Sequence, residues 1–175
     1  MTKFQAVRIW VAILPMLVIT ETQANPGNPN IDMTGFLKVA AEAAAVRAKH
    51  RISENEFLEM RQKPGTIVLD ARSAEKFNIL HVDGAINLSF PDIDVVSLAR
   101  VLPDKGARIL IYCNNNFRNR PDAFPSKAPS ASLNLSTYIA LYNYGYRNVY
   151  ELEPLIDTRT TKVPLVSSSV TSTNR

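Results

Sequence analysis

The sequence predicts an α/β fold: an open parallel sheet flanked by helices, with an extra helix at the N-terminus. Two aliphatic runs, Thr66–Asp70 and Arg108–Tyr112, lack polar alternation, which is typical of strands buried on both faces of a parallel sheet. Segments with helical spacing of apolar residues lie between and after these runs. Without the signal peptide predicted below for residues 1–24, the chain has roughly 150 residues, the size of one domain.

The predicted elements follow the order βαβαβαβ after the N-terminal helix. That helix is expected at 34–51, where the sequence is rich in alanine and lacks proline and glycine. Ser53-Glu-Asn-Glu56 is a capping-box pattern and predicts the start of a short helix. The predicted strands are 66–70, 85–88, 108–112 and 148–152. The helices predicted after the one that begins at Ser53 are 74–80, 92–101 and 133–144. The polar composition of 158–175 predicts a frayed C-terminal tail.

Residues 1–24 have the pattern of a secretory signal peptide. Lys3 and Arg8 precede an apolar stretch at 9–19, and a small residue, Ala24, is the expected cleavage position. The apolar stretch is shorter than the roughly 20 residues that span a bilayer, so no stable membrane span is expected. We expect an exported protein, periplasmic in a Gram-negative bacterium and otherwise secreted, with a flexible leader at 25–33.

The net charge and the few cysteine and histidine residues argue against nucleic acid, metal ions and cofactors as ligands. The formal net charge is +4, and it falls to +3 without the predicted signal, which carries two basic residues and one acidic residue. No basic cluster is interleaved with aromatic residues, so nucleic acid is not an expected partner. One cysteine and two distant histidines, His50 and His81, cannot supply a closed set of soft ligands. Neither a metal nor another cofactor is therefore expected.

Cys113 is the only cysteine and the first candidate for chemistry. It directly follows the predicted strand Arg108–Tyr112 and precedes a polar loop, and ligands of open α/β sheets bind at the carboxyl ends of strands. A lone cysteine can instead be a small buried apolar residue. In an exported protein, an unpaired cysteine indicates a reactive thiol or an intermolecular bond, and an inert buried thiol is the alternative.

Four segments over about residues 51–155, taken in their order along the chain, resemble a rhodanese domain. They are Asp70-Ala-Arg72-Ser-Ala-Glu75-Lys-Phe77, His81-Val-Asp-Gly84-Ala-Ile-Asn87, the cysteine loop, and Gly145-Tyr-Arg-Asn-Val-Tyr150. The resemblance implies a rhodanese-like domain at 52–157. Active members of this family carry sulfane sulfur on the loop cysteine, whereas inactive members keep the fold without the chemistry.

The resemblance also implies roles for individual residues. Cys113 and Arg118 would be catalytic, since Arg118 has the spacing of the arginine in the family's Cys-x-x-Gly-x-Arg loop. Loop amides and the Arg118 cation would favour the thiolate of a partly accessible Cys113, and the loop would hold an anion. The implied substrate-binding loop is Asn114, Asn115, Asn116 and Phe117, and the implied structural supports are Asp70, Arg72, His81 and Gly84.

Two features depart from the family pattern. Asn116 stands where the family has glycine, although asparagine tolerates left-handed backbone and residues 114–116 can still close an anion nest. Residues 119–130 separate Arg118 from the next helix. This insert either folds over Cys113 as a lid or is a surface excursion without a role.

These patterns predict an exported sulfurtransferase or sulfane-sulfur carrier that acts through a Cys113 persulfide. Its donor would be a small sulfur-containing anion such as thiosulfate, and its acceptor a thiol or a protein. The alternative is a non-catalytic module that binds a protein or a small anion. Phosphatase or arsenate-reductase chemistry is disfavoured, because related phosphatases have their arginine where this chain has Asn119.

Overall fold

The computed structural model describes residues 27–168. The predicted signal peptide, the first part of the predicted leader and residues 169–175 lie outside the described residues. The chain divides into a short N-terminal unit that ends at Asp32 and a second unit that begins at Met33. In the first unit, the amide of Ile31 donates to the carbonyl of Asn28 at 3.0 Å and closes a turn.

Strands and helices alternate through most of the second unit. The strands are β1 Arg51–Ile52, β2 Thr66–Asp70, β3 His81–Val82, β4 Ile86–Asn87, β5 Arg108–Tyr112, β6 Phe117–Arg118, β7 Val149–Leu152, β8 Ile156–Asp157 and β9 Leu165–Val166. The α-helices are α1 Met33–Arg47, α2 Glu54–Arg61, α3 Ala74–Ile79, α4 Val95–Val101 and α5 Leu133–Asn143. Short 3₁₀ turns occur at Phe90–Asp92, Asn114–Asn116 and Pro129–Ala131.

Five of these strands form a parallel sheet in the order β1-β7-β5-β2-β4. Strand β5 is therefore central, and Ile111 lies between Leu69 of β2 and Glu151 of β7. Alternate side chains of β5 enter different cores: Leu110 and Tyr112 pack on one face and Ile109 and Ile111 on the other. The predicted α/β class, with a parallel sheet flanked by helices, is confirmed.

Local signals explain how the first helices begin and end. The predicted capping box at Ser53 is present: its amide donates to Glu56 Oε2 at 2.8 Å, and the Glu56 amide donates to Ser53 Oγ at 3.3 Å. The helix expected over 34–51 ends four residues earlier in the structure, where α1 ends at Arg47. The Arg47 guanidinium donates to both carboxylate oxygens of Glu151. Arg51 already belongs to β1, opposite Glu151.

The segment after β8 differs from the frayed tail expected over 158–175. Its described part, up to residue 168, carries the buried Val163, and β9 pairs with β3 in antiparallel orientation. Glu54 Oε1 accepts hydrogen bonds from Thr161 Oγ1 at 2.6 Å and from the Lys162 amide at 2.8 Å. These main-chain and carboxylate contacts hold a segment whose composition alone favours disorder.

Candidate active site

Cys113 directly follows the central strand β5, at the carboxyl end of the sheet. Its residue surface is only 1% exposed, so the expectation of a partly accessible thiol is wrong for this conformation. The thiol sulfur Sγ lies 3.4 Å from the hydroxyl oxygen of Ser132, the residue that precedes α5. The site thus consists of a buried thiol at the N-terminal end of a helix.

The side chain of Asn116 organises the loop after the cysteine. Its Oδ1 accepts from the Cys113 amide at 2.8 Å and from Asn134 Nδ2 at 3.0 Å. Its Nδ2 donates to the carbonyl oxygens of Leu152 at 2.6 Å and Pro154 at 3.3 Å. Asn116 therefore joins the loop to α5 and to the end of β7, which a glycine at this position cannot do.

The asparagine loop is not the left-handed nest that the sequence suggested. Residues Asn114–Asn116 form a 3₁₀ turn, and Asn119 is the only non-glycine residue with a positive φ in the described part of the chain. The Cys113 amide is engaged by Asn116, so it does not point to an external anion. The side chain rather than the backbone of Asn116 explains the departure from glycine.

Three buried oxygen atoms, one of them on Asn134, have no hydrogen-bond partner within residues 27–168. They are Asn114 Oδ1, Asn134 Oδ1 and Thr137 Oγ1. The orientation of Asn134 is determined, because Asn116 Oδ1 already accepts from Cys113 and must receive the amide nitrogen of Asn134. Unsatisfied buried polar atoms are rare in native proteins, and each has a cause such as a bound water, an ion or a functional role.

Arg118 is paired with a carboxylate and is not hydrogen-bonded to Cys113 within the described residues. It lies 3.7 Å from the Asp157 carboxylate, and its side chain is 60% exposed. Strand β6 pairs with β8, and successive residues of a strand face opposite sides, so Phe117 turns inward and Arg118 outward. Arg159, which also hydrogen-bonds Asp157, holds the pKa of that carboxyl well below its usual range. Arg118 is thus engaged with a carboxylate instead of facing the thiol.

Phe117 likewise belongs to the core rather than to a substrate-binding surface. It is 1% exposed, its ring centroid lies 4.5 Å from that of Phe124, and it meets Tyr112 edge-on at 5.8 Å. Phe124 comes from the insert at 119–130, and the Ala123 carbonyl accepts from Arg72 Nη1 at 2.9 Å. The insert is therefore packed into the domain and is not a detached excursion.

The insert is also fastened to the cysteine loop. Asn115 Nδ2 donates to the Lys127 carbonyl at 2.8 Å, and the Lys127 amide donates to Asn115 Oδ1 at 3.1 Å. Five residues further on, Ser132 meets Cys113. Segment 127–132 therefore runs along the loop from Asn115 to the thiol.

Asp70 and Arg72, for which the family resemblance implied a structural role, form a buried network beside the sheet. Arg72 Nη2 donates to Asp70 Oδ2 at 2.6 Å and to the Leu80 carbonyl at 2.8 Å, and both charged side chains are almost fully buried. The Tyr112 hydroxyl donates to Asp70 Oδ2 at 2.5 Å. Burial, followed by the Asp70 charge, raises the pKa of Tyr112 well above its usual value, so this proton stays in place. Asp70 is fully engaged and has no free oxygen for acid–base work.

The other two supports shape the turn before β4. His81 Nδ1 lies 2.7 Å from the Phe77 carbonyl oxygen, and its ring stacks on that of Phe77 with centroids 3.7 Å apart. Gly84 has a φ of +74°, in the left-handed region that favours glycine. Both residues are local structural elements of this turn.

Sequence reasoning missed Ser132, which contacts Cys113, and Asn134, which donates to Asn116. Ser132 precedes the predicted helix at 133–144, which is the N-cap position, and this signal was available in the sequence. Its approach to Cys113 depends on the path of the insert.

Within residues 27–168 no helix is long and apolar enough to cross a membrane, and no group of three acidic, histidine or cysteine side chains is arranged to hold a metal ion.

Comparison with known proteins identifies the family. The family model of the rhodanese-like domain matches residues 53–154. A tRNA uridine(34) hydroxylase from Bacillus pumilus (strain SAFR-032) is 37% identical over 79 residues, which cover 40% of this chain and 22% of that protein. The chain thus spans less than a quarter of the length of this curated relative.

Solved structures are similar to parts of this chain at low sequence identity. The BH2092 protein from Bacillus halodurans has a TM-score of 0.50 and 19% identity, with 75% of this chain and 87% of that chain covered. A thiosulfate sulfurtransferase from Pseudomonas aeruginosa has a TM-score of 0.42 and 22% identity, with 68% of this chain and 21% of that chain covered. Because the family model matches more than half of the sequence, this chain belongs to the rhodanese-like domain family.

Proposed function

We propose that the protein is an exported sulfurtransferase or sulfane-sulfur carrier that acts through Cys113. The observation that carries the proposal is the position of the single cysteine, at the carboxyl end of the central strand and against the residue that begins α5. Helix N-termini favour anions, and cysteines at such positions react as thiolates. Helix α5 has 11 residues, long enough for its dipole to contribute.

The proposed reaction is a two-step exchange. The Cys113 thiolate attacks the outer sulfur of thiosulfate, the bond between the two thiosulfate sulfurs breaks, and sulfite leaves with the electron pair. Cys113 is left as a persulfide. A nucleophilic acceptor, such as a thiolate or cyanide, then attacks the outer sulfur, and Cys113 leaves as the thiolate.

Burial of Cys113 requires that a donor gain access by movement of the chain. Segment 127–132 is the part to move, because it is bonded to the loop through Asn115 and ends at Ser132 beside the thiol. We propose that this segment covers the site and that opening it admits small donors. Such gating is common where reactive intermediates must be kept from water.

A non-catalytic binding module is the second candidate function. The 1% exposure of Cys113 and the pairing of Arg118 with Asp157 favour it, since a thiol that stays buried cannot meet thiosulfate. In that case the same cysteine is a core residue, and the fold serves recognition alone.

The two candidates are separated by the intact mass of the reduced protein after incubation with thiosulfate. We expect the parent to gain one sulfur atom and Cys113→Ser to gain none, and cyanide should remove the gained atom. No mass gain in the folded parent would reject sulfur transfer by Cys113 and leave the binding module as the candidate.

Export is tested separately. The charged start, short apolar stretch and Ala24 support cleavage that leaves Asn25 as the first residue. N-terminal sequencing of the protein recovered from its producing cell should begin near Asn25. Recovery of chains that begin at Met1 would contradict the proposal.

A further inference from the structure

We infer that Ser132 is a further functional residue of this site: its hydroxyl group donates to Cys113 and stabilises the thiolate, in the place that the sequence pattern gave to Arg118. This inference rests on the proposed function insofar as it takes Cys113 as the reactive group. It concerns a residue outside the cysteine loop, nineteen positions along the chain.

The first support is that Ser132 does not perform the task usual for its position. A serine directly before a helix normally accepts a hydrogen bond from an amide two or three residues later. Ser132 makes no such side-chain bond, although its carbonyl accepts from the Leu135 amide at 3.0 Å as α5 begins. Its hydroxyl oxygen instead lies 3.4 Å from Cys113 Sγ. The side chain is therefore committed to the thiol rather than to the helix.

The second support is the absence of a competing side chain. Of the side chains described between residues 27 and 168, Ser132 alone is hydrogen-bonded to Cys113 Sγ. Arg118 is engaged by Asp157, and the side chain of Asn116 accepts from the Cys113 amide. The backbone amide of Asn116, which is not a side-chain donor, also faces the Cys113 side chain. The hydroxyl of Ser132 is thus the side-chain donor available to a thiolate in this conformation.

The third support is that the backbone of Ser132 is held in place. A 3₁₀ turn at Pro129–Ala131 precedes it, and the Ser132 amide donates to the Pro129 carbonyl at 3.2 Å. Two residues before this turn, Lys127 is bonded to Asn115 on both its amide and its carbonyl. The hydroxyl is therefore positioned before any reaction begins, which limits the entropy lost when the thiolate forms.

The chemistry of the pair depends on the protonation state of the thiol. While Cys113 is a thiol, either atom of the pair can donate. Once the thiol proton is lost, only Ser132 has a hydrogen to donate, and a hydrogen bond to a charged acceptor is roughly twice as strong as a neutral one. Once a donor has entered and segment 127–132 has closed again, Ser132 therefore stabilises the attacking thiolate, and it stabilises the same thiolate when Cys113 leaves after transfer.

The test is a pH titration of the Cys113 thiolate, followed by its ultraviolet absorbance with Cys113→Ser as the blank. This readout does not depend on access of a reagent to the buried thiol. Ser132→Ala should raise the midpoint by about one pH unit, the shift expected for loss of one charge-assisted hydrogen bond. Ser132→Thr, which keeps a hydroxyl, and Ser136→Ala, an exposed serine one turn later on α5, should titrate like the parent.

A Ser132→Ala midpoint equal to that of the parent would overturn the inference, as would a Ser132→Thr variant that titrates like Ser132→Ala. Ser132→Ala removes no helix-capping hydrogen bond, so the variant should fold, and circular dichroism verifies this. Measuring sulfur gain from thiosulfate on the same proteins separates the two claims. A shifted midpoint without sulfur gain in the parent supports the role of Ser132 and rejects the sulfurtransferase. Sulfur gain with an unshifted midpoint supports the sulfurtransferase and rejects the role of Ser132.

Discussion

The hydroxyl oxygen of Ser132 lies 3.4 Å from the sulfur of Cys113, although nineteen positions separate them in the sequence. The insert at 119–130 therefore lengthens the connection between the cysteine loop and α5 without moving the N-terminus of the helix away from the thiol. The same insert places Phe124 in the core and brings Lys127 to Asn115. It is a structural part of the site.

Asn115→Ala should make Cys113 easier to modify. The substitution removes two hydrogen bonds to Lys127, each with a net contribution of about 0.5–1.5 kcal/mol, so the plateau rate of alkylation by iodoacetamide should rise roughly tenfold. Asp122→Ala is the matched control, because Asp122 lies in the insert but pairs locally with Arg120 on the surface. Equal rates for Asn115→Ala and the parent would mean that segment 127–132 does not limit access.

Asp70→Asn should strongly destabilise the fold. It removes the charge that partners the buried Arg72, and breaking a buried pair in this way reduces the free energy of unfolding by about 3–5 kcal/mol. Arg159→Ala, which removes an exposed guanidinium paired with Asp157, should change it by less than about 1 kcal/mol. Urea denaturation measures both. Similar small effects from the two substitutions would show that Asp70 and Arg72 do not brace the site.

Thr137→Val should stabilise the protein. The buried hydroxyl has no hydrogen-bond partner in the described part of the chain, and valine replaces it with a methyl group of the same shape. We expect the free energy of unfolding to rise by about 1 kcal/mol, measured by urea denaturation. A loss of stability instead would mean that the hydroxyl has a partner in solution.

The attachment of the C-terminal segment should depend on pH. Burial tends to raise the pKa of Glu54, but hydrogen bonds from Thr161, Lys162 and Val163 outweigh it and lower the pKa overall. A carboxyl with a lowered pKa in the folded state stabilises the fold above its unfolded pKa of about 4.3, and this contribution is lost as the pH falls through the folded value.

The measurement for Glu54 compares the parent with Glu54→Gln across pH. The parent should be the more stable protein at neutral pH, and the difference should shrink in acid. Glu59→Gln, an exposed substitution on the same helix, is the control and should show little difference at any pH. A Glu54→Gln difference that stays constant from neutral to acidic pH would contradict the assigned role of this carboxylate.

The sequence was most informative where a single element carries the signal. Strands β2 and β5 were predicted at their observed bounds because both faces of the sheet are covered, so the residues between their ends are all apolar. The capping box at Ser53 was recognisable because both of its side chains lie within one turn. The family motif likewise marked Asp70 and Arg72, which pair two residues apart.

The errors concern contacts between segments distant in sequence. Spacing alone implied that Arg118 faces the thiol, but the pairing of β6 with β8 turns it outward, and a two-residue strand has no periodicity to reveal this. Pairing of β9 with β3 was hidden for the same reason. Ser132 was recognisable as a helix start, but its contact with Cys113 depends on how the whole insert packs.

Release of sulfite in a single turnover tests the central claim most directly. The reduced protein is mixed with thiosulfate in the absence of an acceptor, and sulfite is measured against the amount of protein. Transfer of the outer sulfur to Cys113 predicts a burst of one sulfite per chain in the parent and no burst in Cys113→Ser. A parent that releases no sulfite while its thiol remains intact would contradict a persulfide mechanism at Cys113.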